Sequence, residues 1–103
     1  MCNFIAMKLQ EHHINSIKDY FGSQPVLKAF LFGSQVRNEA NEQSDVDILV
    51  ELDYTLPIGL EFIQMQFDLE KILNQKVDLV SDRALSKYIK PIIDSEKKLI
   101  YAR

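Results

Sequence analysis

The sequence predicts a single α/β domain in which helices pack against a small β-sheet. Three observations carry that prediction. The chain has 103 residues, one domain's worth of polypeptide. Its make-up, 47% hydrophobic and 26% charged, is that of an average globular domain able to bury a core, although a small one. Finally, three short apolar runs rich in β-branched residues alternate with segments of helical periodicity, the pattern of layered α/β proteins.

The elements follow in order. From about Asn3 to Phe21, the residues Ile5, Leu9, Ile17 and Phe21 fall near helical spacing, with Lys8, Glu11, Lys18 and Asp19 between them. Gly22-Ser23-Gln24-Pro25 ends this helix, because Pro cannot continue the hydrogen-bond ladder and restricts the residue before it. Val26 to Phe32 is a short apolar run bounded by Gly, which suits a buried strand. The polar stretch from Gln35 to Ser44 has room for one or two helical turns and a loop. Asp45 to Leu52 reads as a second strand. Pro57 opens a helix through about Asn74, with Leu60, Ile63, Phe67 and Leu73 as its core face. Lys76 to Ser81 is a third strand. Ser81 or Asp82 caps a last helical region, which Pro91 breaks into two pieces before Tyr101. No repeat or linker interrupts the order, and connectivity alone leaves the strand directions open.

Several function classes are excluded or disfavoured. No run approaches the roughly 18 apolar residues of a membrane helix, and Met1 to Lys8 lacks the layout of a signal peptide. The single cysteine, Cys2, reads as a free thiol in a reducing compartment, so a cytoplasmic location is expected. A net charge of −3 and a pI near 5.3 weigh against direct nucleic-acid binding, which usually goes with a basic excess. There is no zinc-finger spacing, no Walker phosphate loop and no serine nucleophile elbow. His12-His13 lacks the spacing of a helical metal pair and reads as surface. Asp68, Glu70 and Lys71 read as a solvated helix face. Tyr20, Tyr54, Tyr88 and Tyr101 read as core or rim residues, not as base-stacking platforms.

The informative feature is Gly33-Ser34, then ten residues, then Asp45-Val46-Asp47. Gly33 follows an apolar strand, and a residue without Cβ lets a ligand approach that backbone closely. Ser34 stands at the start of a helical turn, where unpaired N–H groups and the helix dipole favour an anion such as phosphate. Arg37, one turn on, can add charge-assisted hydrogen bonds. Asp45 and Asp47 are two apart on a strand and leave the same face, while Val46, Ile48 and Val50 leave the other. The third strand repeats the arrangement, with Asp78 opposed to Val77 and Leu79. If the strands are neighbours, three carboxylates converge. Two unit charges 4 Å apart repel by about 4 kcal/mol at an effective dielectric near 20, so the cluster calls for a cation. Oxygen ligands select a hard ion, and Mg²⁺ commonly pairs a few carboxylates with substrate phosphates.

Alone, a Gly-Ser is most often a turn, and an Asp-x-Asp on a strand is most often a solvated edge. The four positions together recur by chance in roughly one 100-residue chain in a thousand. The combination therefore carries the weight.

Leu31-Phe32-Gly33-Ser34-Gln35-Val36-Arg37 through Ser44-Asp45-Val46-Asp47-Ile48-Leu49-Val50 resembles the signature of the minimal nucleotidyltransferases of the DNA polymerase β superfamily. Val77-Asp78-Leu79-Val80 is similar to that family's third-carboxylate strand. The tail from Ala84 to Tyr101, with Leu85, Ile92-Ile93, Glu96 and Leu99-Ile100-Tyr101, is similar to its closing helix. Gln35 and Asn38 depart from the commoner Arg and Gly, which bears on nucleotide affinity more than on metal binding. The resemblance implies a mixed sheet of about three strands with flanking helices, spanning residues 1–103 as one domain. It also implies a helical HEPN-domain toxin as partner in a hetero-oligomer, with AMP moved from ATP to a hydroxyl of that partner.

The expected roles follow from that resemblance. Gly33, Ser34 and Arg37 bind the nucleotide, and Asp45 and Asp47 hold two Mg²⁺ ions. Asp78 completes one ion's shell and takes the acceptor proton. Two other readings stay open. One is a catalytically idle module that neutralises a toxin by binding it, as an acidic domain would mask a basic partner. The other is a free-standing enzyme acting on a small molecule, which the short chain disfavours because little of it remains to build an acceptor pocket.

Overall fold

The computed structural model describes residues 11–33, 36 and 45–103. Helix α1 (Glu11–Phe21) leads into β1 (Val26–Phe32) and β2 (Val46–Leu52). Then come α2 (Leu60–Leu73), β3 (Val77–Ser81), a 3-10 turn (Asp82–Ala84), α3 (Lys90–Glu96) and β4 (Lys98–Ala102). The strands form one sheet in the order β3-β2-β1-β4. β1 is antiparallel to β2 and β4, while β2 and β3 are parallel. A parallel pair needs a crossover, and α2 supplies it. The sheet is mixed, as the resemblance implies, with one strand more than the expected three. No helix of the described residues is long and apolar enough to cross a membrane.

Strand alternation splits the sheet into two faces. Val46, Ile48, Val50 and Leu52 of β2 join Ala29 and Leu31 of β1 and Val77 and Leu79 of β3 on the first. Ile17 and Phe21 of α1, with Met65, Leu69 and Leu73 of α2, cover it and complete the main core. Fully burying each such side chain contributes about 1.5–3 kcal/mol. The second face has a smaller cluster in which Ile93 of α3 packs on Phe30 and Leu49, flanked by Phe32, Val80 and Leu85.

The tail departs from the expected closing helix. Pro91 stands in the first turn of α3, where its missing N–H costs nothing, and does not split a longer helix. Lys98–Ala102 is a strand, paired with β1. Leu99-Ile100-Tyr101 is too short a run to declare its own period, and the open edge of β1, with unpaired N–H and C=O groups, recruits it.

Helix α2 departs in two ways. It begins at Leu60, after Gly59, and not at Pro57. Its core face is Phe62, Met65, Leu69 and Leu73; of the expected set only Leu73 is buried, and Leu60 is 79% exposed with Ile63 and Phe67 also on the outside. The helix carries two apolar stripes, and its crossing onto the sheet seats the other one. Asp68 and Glu70 are also more than a solvated face. Asp68 Oδ2 accepts a hydrogen bond from the Tyr20 hydroxyl at 2.6 Å, and Glu70 Oε2 accepts one from the Val77 N–H at 3.1 Å. Lys71 is exposed as expected. Ile5, Leu9, Cys2 and most of the segment 34–44 lie outside the described residues.

Candidate active site

The parallel register sets Val46 opposite Val77 and Asp47 opposite Asp78. Val46 and Val77 enter the main core, so Asp47 and Asp78 belong side by side on the second face. Asp47 is half-buried and Asp78 exposed, and Asp45, immediately before β2, is half-buried. Two hydrogen bonds pin this register at its start. The Val46 N–H donates to the Lys76 carbonyl at 2.9 Å, and the Glu70 carboxylate holds the Val77 N–H. Helix α2 thus fixes the strand that carries Asp78.

On the other side of β2, Asp47 lies opposite Phe32, the last residue of β1. Gly33 follows with φ of 76°, in the left-handed region that favours glycine. A β-carbon at Gly33 would overlap Asp47 Oδ2 and lie 3.2 Å from its Cγ. What comes close to this backbone is therefore the carboxylate of Asp47. The Gly33 N–H donates to Glu96 Oε2 at 2.7 Å, and the Gly33 carbonyl accepts from the Val36 N–H at 3.1 Å. The latter bond is the tight turn expected after Gly33. Ser34 and Arg37 lie outside the described residues.

Asp47 and Asp78 share a face, but among the described residues no group of three His, Cys, Asp or Glu side chains stands ready to hold an ion. Mg²⁺ is commonly bound through one or two carboxylates, with phosphate oxygens and waters filling the shell. An oxygen-only donor set of paired aspartates fits that habit. It does not suit a metal that needs an all-protein cage.

Two cavities of about 490 and 440 Å³ lie at the opposite end of the sheet. One is bordered by Pro25, Leu56 and Arg103, the other by Tyr54, Phe62 and Arg83. The acidic pair, the left-handed glycine and the turn all stand at the other end. Sequence reasoning assigns Glu96 no role, since its bond to Gly33 joins residues 63 positions apart.

The family model described as "Polymerase beta, Nucleotidyltransferase" matches residues 15–103. The chain belongs to that nucleotidyltransferase family. Protein adenylyltransferase MntA of Thermococcus cleftensis is 42% identical over 77 residues, covering 75% of this chain and 74% of that protein. Two solved structures show the same fold. A toxin–antitoxin crystal structure with AMP-PNP matches with a TM-score of 0.75 at 24% identity, covering 87% of this chain and 73% of that one. A tri-AMPylated Shewanella oneidensis HEPN toxin in complex with MNT antitoxin matches with a TM-score of 0.69 at 23% identity, covering 92% and 74%. This nucleotidyltransferase therefore keeps the fold on which the sequence resemblance placed its aspartates.

Proposed function

We propose that this nucleotidyltransferase moves AMP from ATP onto a hydroxyl of a helical HEPN-domain partner chain in the cytoplasm, and so acts as the antitoxin of a toxin–antitoxin pair. The observation that carries this reading is the pairing of Asp47 with Asp78 beside the left-handed turn at Gly33. The relative named as a protein adenylyltransferase and the folds solved with AMP-PNP and with a tri-AMPylated HEPN toxin support the nucleotide and the class of acceptor.

In the transfer, the acceptor oxygen bonds to the α-phosphorus and the bond to the departing pyrophosphate breaks. Asp45 and Asp47 face the phosphates. Asp78, exposed on an edge strand, is within reach of a docked acceptor and receives its proton. Gly33 keeps the turn clear of a side chain, while Ser34 and Arg37 grip the β- and γ-phosphates. Two Mg²⁺ ions held by Asp45 and Asp47, with Asp78 completing one shell, would neutralise the phosphates and lower the pKa of the acceptor hydroxyl.

Incubation with labelled ATP, Mg²⁺ and the co-encoded helical partner tests the proposal. Label is expected on the partner with the wild-type chain and none with Asp45→Asn combined with Asp47→Asn. Equal labelling by the double variant would overturn the assignment. Neutralisation of the toxin that survives the double substitution, with no labelling by either chain, would identify a module that acts by binding alone.

A further inference from the structure

We propose that Glu96 is a positioning residue of the transfer site, clamping the turn that seats Asp47 and leads into Ser34. The inference rests on the proposed nucleotidyl transfer for its effect on nucleotide, but the clamp itself is a matter of geometry.

In the antiparallel pairing of β1 with β4, Phe30 lies opposite Leu99 and Leu31 opposite Lys98. Continued by two residues, that register sets Gly33 opposite Glu96. The backbone ladder stops short of this pair, because β4 begins at Lys98 and Glu96 ends α3. Buried Gly33 would then have an N–H with no strand carbonyl to receive it. The Glu96 side chain supplies the missing acceptor at 2.7 Å, within the short range of charge-assisted bonds.

The acceptor is itself held in place. Ile93, three residues earlier on α3, is buried against Phe30 and Leu49. The Lys97 N–H closes the helix end on the Ile93 carbonyl at 2.8 Å. With its carbonyl taken by Val36 and its N–H by Glu96, Gly33 is fixed through both backbone groups. The space its missing side chain leaves is filled by the Asp47 carboxylate. A shift of the turn must therefore displace Asp47 and re-aim the segment that begins at Ser34. Glu96 touches neither reacting atom in this scheme and acts through Gly33.

Substitutions at this position separate reach from charge. Glu96→Gln keeps the reach of the acceptor oxygen and loses the charge, whereas Glu96→Asp keeps the charge and withdraws the oxygen by one methylene. Asp94→Ala, which removes the ion pairs to Lys90 in α3 and to Lys97 just after it, is the control. The measurements are binding of AMP-PNP with Mg²⁺ and hydrogen exchange at the Gly33 amide.

Glu96→Asp is expected to weaken binding by about tenfold and to speed exchange at Gly33 by a similar factor, the scale of one lost hydrogen bond to a charged group. Asp94→Ala is expected to stay within about threefold of wild type on both measures, and Glu96→Gln to fall between it and Glu96→Asp, since the bond is kept without its charge. Wild-type exchange in Glu96→Asp, or a Glu96→Gln variant as impaired as Glu96→Asp, would overturn the clamp. Failure of the wild-type chain to bind the nucleotide would instead count against the proposed function, while exchange at Gly33 would still decide the role of Glu96.

Discussion

On the face covered by α1 and α2, β2 presents Val46, Ile48, Val50 and Leu52, all buried. On the opposite face the same strand presents Asp47 and Glu51, both half-buried, around a buried Leu49. A shift of one residue along the strand exchanges hydrocarbon for carboxylate. The first face is sealed by two helices through Ile17, Phe21, Met65 and Leu69. The second carries the short α3, whose Ile93 packs on Phe30 and Leu49, and beyond that cluster it bears Asp47 and Asp78. Stability and chemistry are thus segregated across a sheet one strand thick. A pair of like charges is tolerable on the second face because the first supplies most of the burial.

The largest expected effect strikes the first face. Leu69→Ala opens a cavity between α2 and the sheet and should cost about 2–5 kcal/mol. At this chain length that lowers the melting temperature by roughly 10–25 °C. Thermal unfolding followed by circular dichroism measures it, and a drop of only a few degrees would show that α2 is not the main seal.

Next comes the second face, where the pattern should invert. Asp78→Asn removes one of two carboxylates that stand opposite each other on neighbouring strands, a juxtaposition that disfavours folding by about 0.2–1 kcal/mol. The melting temperature should hold or rise by a few degrees, while label transfer from ATP falls at least about 100-fold, the scale of losing one group that stabilises a transition state. A stability loss as large as that of Leu69→Ala would erase the division of labour between the faces.

How far this division is legible in the sequence differs between elements. Period-two alternation in Asp45 to Val50 and in Val77 to Val80 is strong enough to assign both strands and to put Asp47 and Asp78 on a common face, and the register bears that out. The α2 face is harder to read. Leu60, Ile63 and Phe67 lie at helical spacing, and so do Phe62, Met65, Leu69 and Leu73. Only the packing of α2 on β2 and β3 selects between them. β4 is harder still, since Lys98–Ala102 becomes a strand through pairing with β1 far earlier in the chain. The contact of Glu96 with Gly33 depends on that same pairing and leaves no local trace.

The two stripes of α2 supply a smaller test. Phe67→Ser alters an exposed side chain and should change stability of the isolated chain by no more than about 0.5 kcal/mol. Chemical denaturation measures this, and a cost of several kcal/mol would mean that the outer stripe is the buried one after all.

The smallest effect lies at the seam between α1 and α2, where the Tyr20 hydroxyl meets Asp68. Burial, then the bond to Asp68, pushes the Tyr20 hydroxyl well above its ordinary pKa. The bond from Tyr20, then the one from Gln64, holds the Asp68 carboxyl below the usual carboxylate range. A carboxyl depressed by folding adds stability above its unfolded value, and that contribution drains away as pH falls through the folded value. A phenol raised by folding adds stability below its unfolded value near 10, and loses it as pH climbs further. The melting-temperature gap between wild type and Tyr20→Phe should therefore stay level between roughly pH 5 and 9, then narrow below about pH 4 and above about pH 10. A gap that stays level down to about pH 2 would show that the ionised form of Asp68 contributes nothing to holding α1 against α2. The Tyr20 hydroxyl would then hold α1 against α2 equally well through a hydrogen bond to a neutral Asp68.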